Sequence, residues 1–176
     1  MEKHTVIGDR IDFNKDVETT FSMSFLPLDI FDNWDRVSSI SDFVAEYFGT
    51  YYNEETASNI ISTIFNELVE NAVKFTKNNS QPIHIVVKKS NNNFLSRITN
   101  TIPSHSKEAF LGICKDLFSS DLDELFIRKI EAGVSDDKKS GIGLILLKKD
   151  YQVDTSFDFF EDNKFNKVAV TIKLTI

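Results

Sequence analysis

From position 53 to about 78 the chain places apolar residues at Ile60, Ile61, Ile64, Phe65, Leu68, Val69, Ala72, Val73 and Phe75. They recur at i, i+3 and i+4 spacing, so they form one stripe down a single long helix. A stripe of that length must be buried against another layer. The rest of the chain supplies that layer as strands. Residues 83–88 and 94–99 are short β-like runs, and Ser90-Asn91-Asn92-Asn93 between them is a strong turn signal. Residues 157–160 and 167–176 read as a second strand pair around the turn EDNKFN, with clear alternation in VAVTIKLTI. Residues 17–25 read as a fifth strand.

Further helical spacing runs over 38–51, over 104–132 in two pieces split near Ser119 and Ser120, and over the short apolar segment 141–151. Residues 133–140, GVSDDKKS, are polar and read as a mobile loop. The expectation is an α+β fold. A mixed, mostly antiparallel sheet is covered on one face by helices, in a two-layer α/β sandwich. At 176 residues the whole chain, 1–176, reads as a single domain. Sixteen Phe against one Trp and four Tyr predict a core filled by Phe rings.

Charge and cysteine content exclude some functions. Twenty basic against 27 acidic residues leave −7, which argues against a nucleic-acid binder working by bulk charge. Local donors for one small anionic ligand remain compatible with it. One cysteine, Cys114, excludes an internal disulfide and any site needing two thiolates. No run reaches signal-peptide or membrane-span length, so the reading is a cytoplasmic protein with no membrane contact.

Three groups of residues can carry chemistry. Glu67 and Asn71 stand four apart on the long helix, and Lys74 follows three later, so all three share a face beside the buried stripe. A carboxylate, an amide oxygen and an amine so placed can meet a magnesium-bound phosphate, since magnesium takes few protein ligands when phosphates supply the rest. The same pattern also describes an ordinary solvated helix face. Ser140-Gly141-Ile142-Gly143-Leu144 opens the short helix, after Lys138 and Lys139. Its glycines admit close backbone approach, and its helix start offers N–H groups to phosphate. A plain loop and cap fits those residues as well. Asn100, in Arg97-Ile98-Thr99-Asn100-Thr101-Ile102-Pro103, emerges at a strand end, where it can read a ligand edge or simply form a turn. His4, His84 and His105 are isolated, and His84 reads as a satisfied packing residue within its strand.

ELVENAVKF on a helix, a hairpin, an asparagine at a strand end, a helical segment and SGIGL opening a helix together resemble the GHKL (Bergerat) ATPase domain. That superfamily includes histidine kinases and anti-sigma-factor serine kinases. Within it RITNTI, SGIGLILLKKDY and the final hairpin are most similar to the SiaB-like protein kinase family. The resemblance spans roughly residues 17–176. It implies an N-box over about 60–78, a lid-like segment over about 104–140 and a second glycine box at 140–144.

The resemblance implies ATP and Mg2+ as cofactors. Asn71 would be the magnesium ligand, Glu67 the base or water-orienting carboxylate, and Gly141, Gly143 and the Leu144 N–H the phosphate cradle. Lys74 is grouped with the nucleotide contacts, and Asn100 stands where most of the superfamily has an adenine-reading aspartate. The chain departs from that pattern in its first glycine box, where Asn100-Thr101-Ile102-Pro103-Ser104 holds no glycine. No helical hairpin carries a phosphoacceptor histidine, so the acceptor would lie on another protein.

The implied function is a serine/threonine protein kinase of a bacterial partner-switching pathway. It would pass the γ-phosphoryl group of Mg-ATP to a STAS-type, anti-sigma-antagonist-like partner. The alternative is a degenerate GHKL domain that works as a protein-binding module, for which Phe110, Leu117 and Phe126 offer a surface unless, as their apolar spacing favours, they pack in the core. Self-association into a homodimer is compatible with either reading.

Overall fold

The computed structural model describes residues 4–52, 55–76, 80–132 and 141–176. Its elements run β1 (Thr5–Gly8), β2 (Thr19–Phe25), α1 (Pro27–Phe31), α2 (Asp35–Gly49), α3 (Ala57–Phe75), β3 (Ile83–Ser90) and β4 (Asn93–Thr101). They continue with α4 (Ser104–Ser119), α5 (Leu122–Ala132), α6 (Ile142–Asp150), β5 (Asp154–Asp162) and β6 (Phe165–Thr175). The strands form one six-stranded sheet in the order β1-β5-β6-β4-β3-β2. Every pairing among the described residues is antiparallel.

Alternation divides the sheet into two unlike faces. One row crosses all six strands as Met23, Ile85, Ile98, Val170, Phe157 and Ile7. The next row is Ser22, Val86, Arg97, Thr171, Ser156 and Gly8. A one-residue step therefore exchanges an apolar face for a largely polar one. The apolar face takes α3, whose Ile61, Ile64, Phe65, Leu68, Val69, Ala72 and Val73 are all buried. On the polar face Phe13 lies between the Arg97 guanidinium, 4.1 Å from its ring centre, and the Lys88 ammonium at 4.5 Å.

Both turns follow their sequences. Asn91 takes a positive φ of 52°, and Asn163 and Lys164 take 49° and 69°. Positive φ at both Asn163 and Lys164 suits the twist of a two-residue hairpin, whereas the Asn91-Asn92 turn has it at its first residue alone. Phe48, Phe65, Phe94, Phe110, Phe157 and Phe159 are fully buried, but Ile, Val and Leu make up most of the core, so Phe rings do not fill it alone as the composition predicts.

The structure also departs from expectation. β1 and α1 are additional elements, and the first predicted strand begins at Thr19 rather than 17. Phe110 and Leu117 are core residues, 2% and 3% exposed, and so cannot form the partner surface suggested for them. Phe126 is half-buried. His84 is exposed, and its Nδ1 lies 2.7 Å from Ser24 Oγ, so it is satisfied but does not pack. No helix among the described residues is long and apolar enough to cross a membrane.

Candidate functional site

α3 and α6 meet where Glu67 faces Gly143. A Cβ built on Gly143 would lie 1.8 Å from Glu67 Oε2, so only a glycine lets the first turn of α6 sit against this carboxylate. Gly141 caps α6 at φ 91°. That left-handed conformation disfavours a side chain, and a Cβ there would also meet Ile113 Cγ2 at 2.7 Å. The two glycines thus serve separate needs, one a turn and the other a close approach. The first N–H groups of α6 have no acceptor within the helix and carry its positive dipole end toward Glu67. The far half of α6 is held by Lys148 on Asp9 at 3.0 Å and by Lys149 on Asp123 at 2.7 Å.

Burial pushes the Glu67 carboxyl above its ordinary value. The neighbouring Glu70 charge adds to the rise, and Lys74 opposes it. A carboxyl desolvated in this way is a better proton acceptor than a free one.

One turn further along α3, Asn71 faces a crevice also lined by Leu68, Phe75, Asn100, Phe110 and Leu144. Its Nδ2 is buried without a hydrogen-bond partner. Asn100 is 2% exposed and its Nδ2 donates to the Thr101 carbonyl at 3.1 Å. Strand order brings the two asparagines together, because Ile98 and Asn100 on β4 lie beneath α3. The crevice is narrow, about 10 Å³, which is room for about one water molecule. Phe75 and Phe110 wall it, with ring centres 4.3 Å apart.

The structure thus gathers Glu67, Asn71, Asn100, Gly143 and Leu144 around the α3–α6 contact, with Gly141 as its cap. It does not bring Lys74 there. Lys74 is exposed and donates to Glu70 Oε2 at 2.9 Å, while Glu70 Oε1 accepts from Asn66 at 2.9 Å. Leu144 contributes a buried side chain to the crevice as well as its backbone. Lys138, Lys139 and Ser140, and with them the end of the lid-like segment, lie outside the described residues. Phe75 and Ile113 gain site roles that the sequence reading did not give them, and Phe110 gains a different one. Phe75 belonged to the helical stripe, whereas nothing in the local pattern marks Ile113.

A magnesium-bound nucleotide finds part of its requirement here. Asn71 and Glu67 offer oxygen donors, and the start of α6 offers N–H groups. At this width the crevice has no room for a nucleotide base. Among the described residues no cluster of three or more His, Cys, Asp or Glu could hold a metal alone. Any magnesium would therefore need phosphate oxygens to complete its shell.

No family model and no curated protein matches the chain. A solved structure does: a chain of the SiaB-SiaC complex from Pseudomonas aeruginosa. The match has a TM-score of 0.61 and covers 92% of both chains at 8% identity. At that identity the similarity shows a shared fold, an α+β two-layer sandwich.

Proposed function

We propose that this chain is a nucleotide-dependent protein kinase of a partner-switching pathway, acting on a STAS-type protein. The observation that carries the reading is the Asn71 amide. It is a buried polar group with no partner, beside Asn100 and one turn from the Glu67–Gly143 contact. An unsatisfied buried donor costs about 1–3 kcal/mol, a cost a ligand can relieve. The fold shared with a chain of a two-protein complex supports a protein partner.

In this reading the Asn71 Oδ1 would hold the magnesium and its Nδ2 would donate to a phosphate oxygen, and the first N–H groups of α6 would donate to further phosphate oxygens. Mg-ATP, when bound, supplies the transferable phosphoryl group. Glu67 accepts the proton from the acceptor hydroxyl, and Asn100 receives the base edge. The crevice must widen first, so binding and opening are one event.

The narrow crevice favours a second reading, a protein-binding module without phosphotransfer. Thermal melting with Mg-ATP and Mg-ADP separates the two. At about 100 times its dissociation constant a nucleotide should add about 2.7 kcal/mol of stability to the wild type and none to Asn71→Ala. No shift at millimolar nucleotide would sink the kinase reading and leave the module. A shift would be followed by radiolabelled transfer to a STAS-domain protein.

A further inference from the structure

A second cavity, of about 280 Å³, opens at the C-terminal end of α6. Asp150, Tyr151 and Gln152 line it from that end, and Asp154, Lys173 and Thr175 line it from the paired ends of β5 and β6. It is far larger than the crevice beneath α3 and shares no lining residue with it.

The end of α6 carries charge in an unusual place. A helix C-terminus is a negative pole and favours cations. The final helical residue here is an acid, Asp150, and it forms no ion pair among the described residues. The two lysines of the last turn are engaged elsewhere, Lys148 on Asp9 at 3.0 Å and Lys149 on Asp123 at 2.7 Å. The Tyr151 N–H donates to the Leu147 carbonyl at 3.2 Å, so the carbonyls of residues 148–150 have no donor within the helix.

The backbone beyond the cap departs from expectation as well. Gln152 takes a φ of 52°. A helix that ends in a left-handed residue usually places glycine there, because a side chain is strained in that conformation. A glutamine at this position keeps a side chain at the cavity wall at a cost in stability. Across from it, Lys173 Nζ lies 2.7 Å from Asp154 Oδ2. The lining thus offers two carboxylates, a negative helix pole and one ammonium.

We infer that this cavity binds a free basic amino acid, a molecule with two cations and one carboxylate. Its charges match the lining group for group. The side-chain cation would sit at Asp150 and the open carbonyls of α6, the α-ammonium at Asp154 and the α-carboxylate at Lys173, each through charge-assisted hydrogen bonds. A metal ion fits less well, since no three His, Cys, Asp or Glu cluster among the described residues. The volume lies just under the lower bound of about 300 Å³ for ligand pockets, which suits a molecule of this size. The inference does not rest on the kinase reading, because the cavity and Gly143 lie at opposite ends of α6.

Isothermal titration calorimetry of the full chain with L-arginine and with L-lysine tests this. At least one should bind saturably at millimolar concentration or below. L-norleucine lacks the side-chain cation of L-lysine, and agmatine lacks the carboxylate of L-arginine. Each should bind at least about tenfold more weakly than its parent. Asp150→Asn and Lys173→Gln, both reaching solvent, should weaken binding by a similar factor with an unchanged circular dichroism spectrum. Gln152→Gly separates a binding role from a structural one, since it should raise the melting temperature and still weaken binding. No saturable heat with either amino acid, norleucine and agmatine binding as well as their parents, or an Asp150→Asn variant of unchanged affinity would each overturn the proposal.

Discussion

The crevice beneath α3 and the edge formed by β2 and α2 place aromatic rings in opposite situations. In the crevice Phe110 is 2% exposed and packs tilted or edge-on against Phe75, Phe157 and Phe159, so the site is walled by the core itself. At the edge Phe43 is half in water, with the rings of Phe21 and Tyr47 beside it. The crevice leaves a polar group without a partner, and the edge leaves apolar rings in water. Each is a local departure from what a folded chain normally satisfies, and such departures concentrate where a protein meets something else. They differ in what resolves them. The crevice must widen before it can bind, whereas the edge rings are open as they stand.

The same substitution in both regions breaks the comparison most sharply. Phe110→Ala removes a buried ring and should cost about 3–5 kcal/mol. Phe43→Ala removes an exposed ring and should cost under about 1 kcal/mol in the monomer. Chemical denaturation at low protein concentration reads both values. Near-equal costs would mean that the two rings are not in different environments.

The two glycines of the site separate strain from crowding. Gly141→Ala forces a side chain into a left-handed backbone against Ile113 and should cost about 1–3 kcal/mol. Gly143→Ala meets only the far end of the Glu67 side chain, which can swing away. It should cost less than Gly141→Ala while removing whatever Glu67 does. Melting temperature and nucleotide stabilisation measure the two effects separately. A larger stability loss for Gly143→Ala would show that Glu67 is fixed in place.

Much of this was legible in the sequence, for reasons that can be traced. The register of α3 follows from a stripe that repeats over five turns, and β6 from strict alternation. Such periodic signals survive because burial acts on every repeat. β1 was illegible because four residues carry no periodicity. Lys74 has a partner that the projection did not show. It shares a helical face with Glu67 and Asn71, and Glu70, four residues before it, accepts from its ammonium. Its charge still acts on the Glu67 carboxyl. The meeting of Asn71 with Asn100 depends on β4 lying centrally under α3. That is a matter of strand order, which no local pattern contains. Exposure was equally hidden, so Phe110 fitted a partner surface as well as the core that it enters, and the exposed rings of α2 passed as ordinary amphipathic positions.

Asn71→Leu sharpens the difference within the crevice. The leucine has the same branched shape, with larger methyl ends, and no unpaired donor. Stability should hold or rise by up to about 1 kcal/mol, while any nucleotide stabilisation disappears. Urea denaturation with and without Mg-ADP reads both. A clear loss of stability would mean that the amide has a partner in solution and that the orphaned donor is not a ligand contact.

The smallest effect concerns Glu67 and pH. Its carboxyl is raised above the ordinary value of 4.5 by burial first and by Glu70 second. The folded state therefore holds this proton to higher pH than the unfolded chain does. Between the unfolded and folded values the folded chain binds more protons, so stability falls as pH rises through that window. Above the folded value the loss is complete, and below 4.5 it is absent. Glu67→Gln carries no such charge. The variant should be more stable than the wild type at neutral pH, and the gap should close as pH falls toward the ordinary carboxylate range. Stability curves for both proteins across this range decide it. A gap that widens on acidification would mean that the Glu67 charge is stabilised in the folded protein, by the N-terminus of α6. The carboxylate would then be a fixed partner of that helix and a poor proton acceptor.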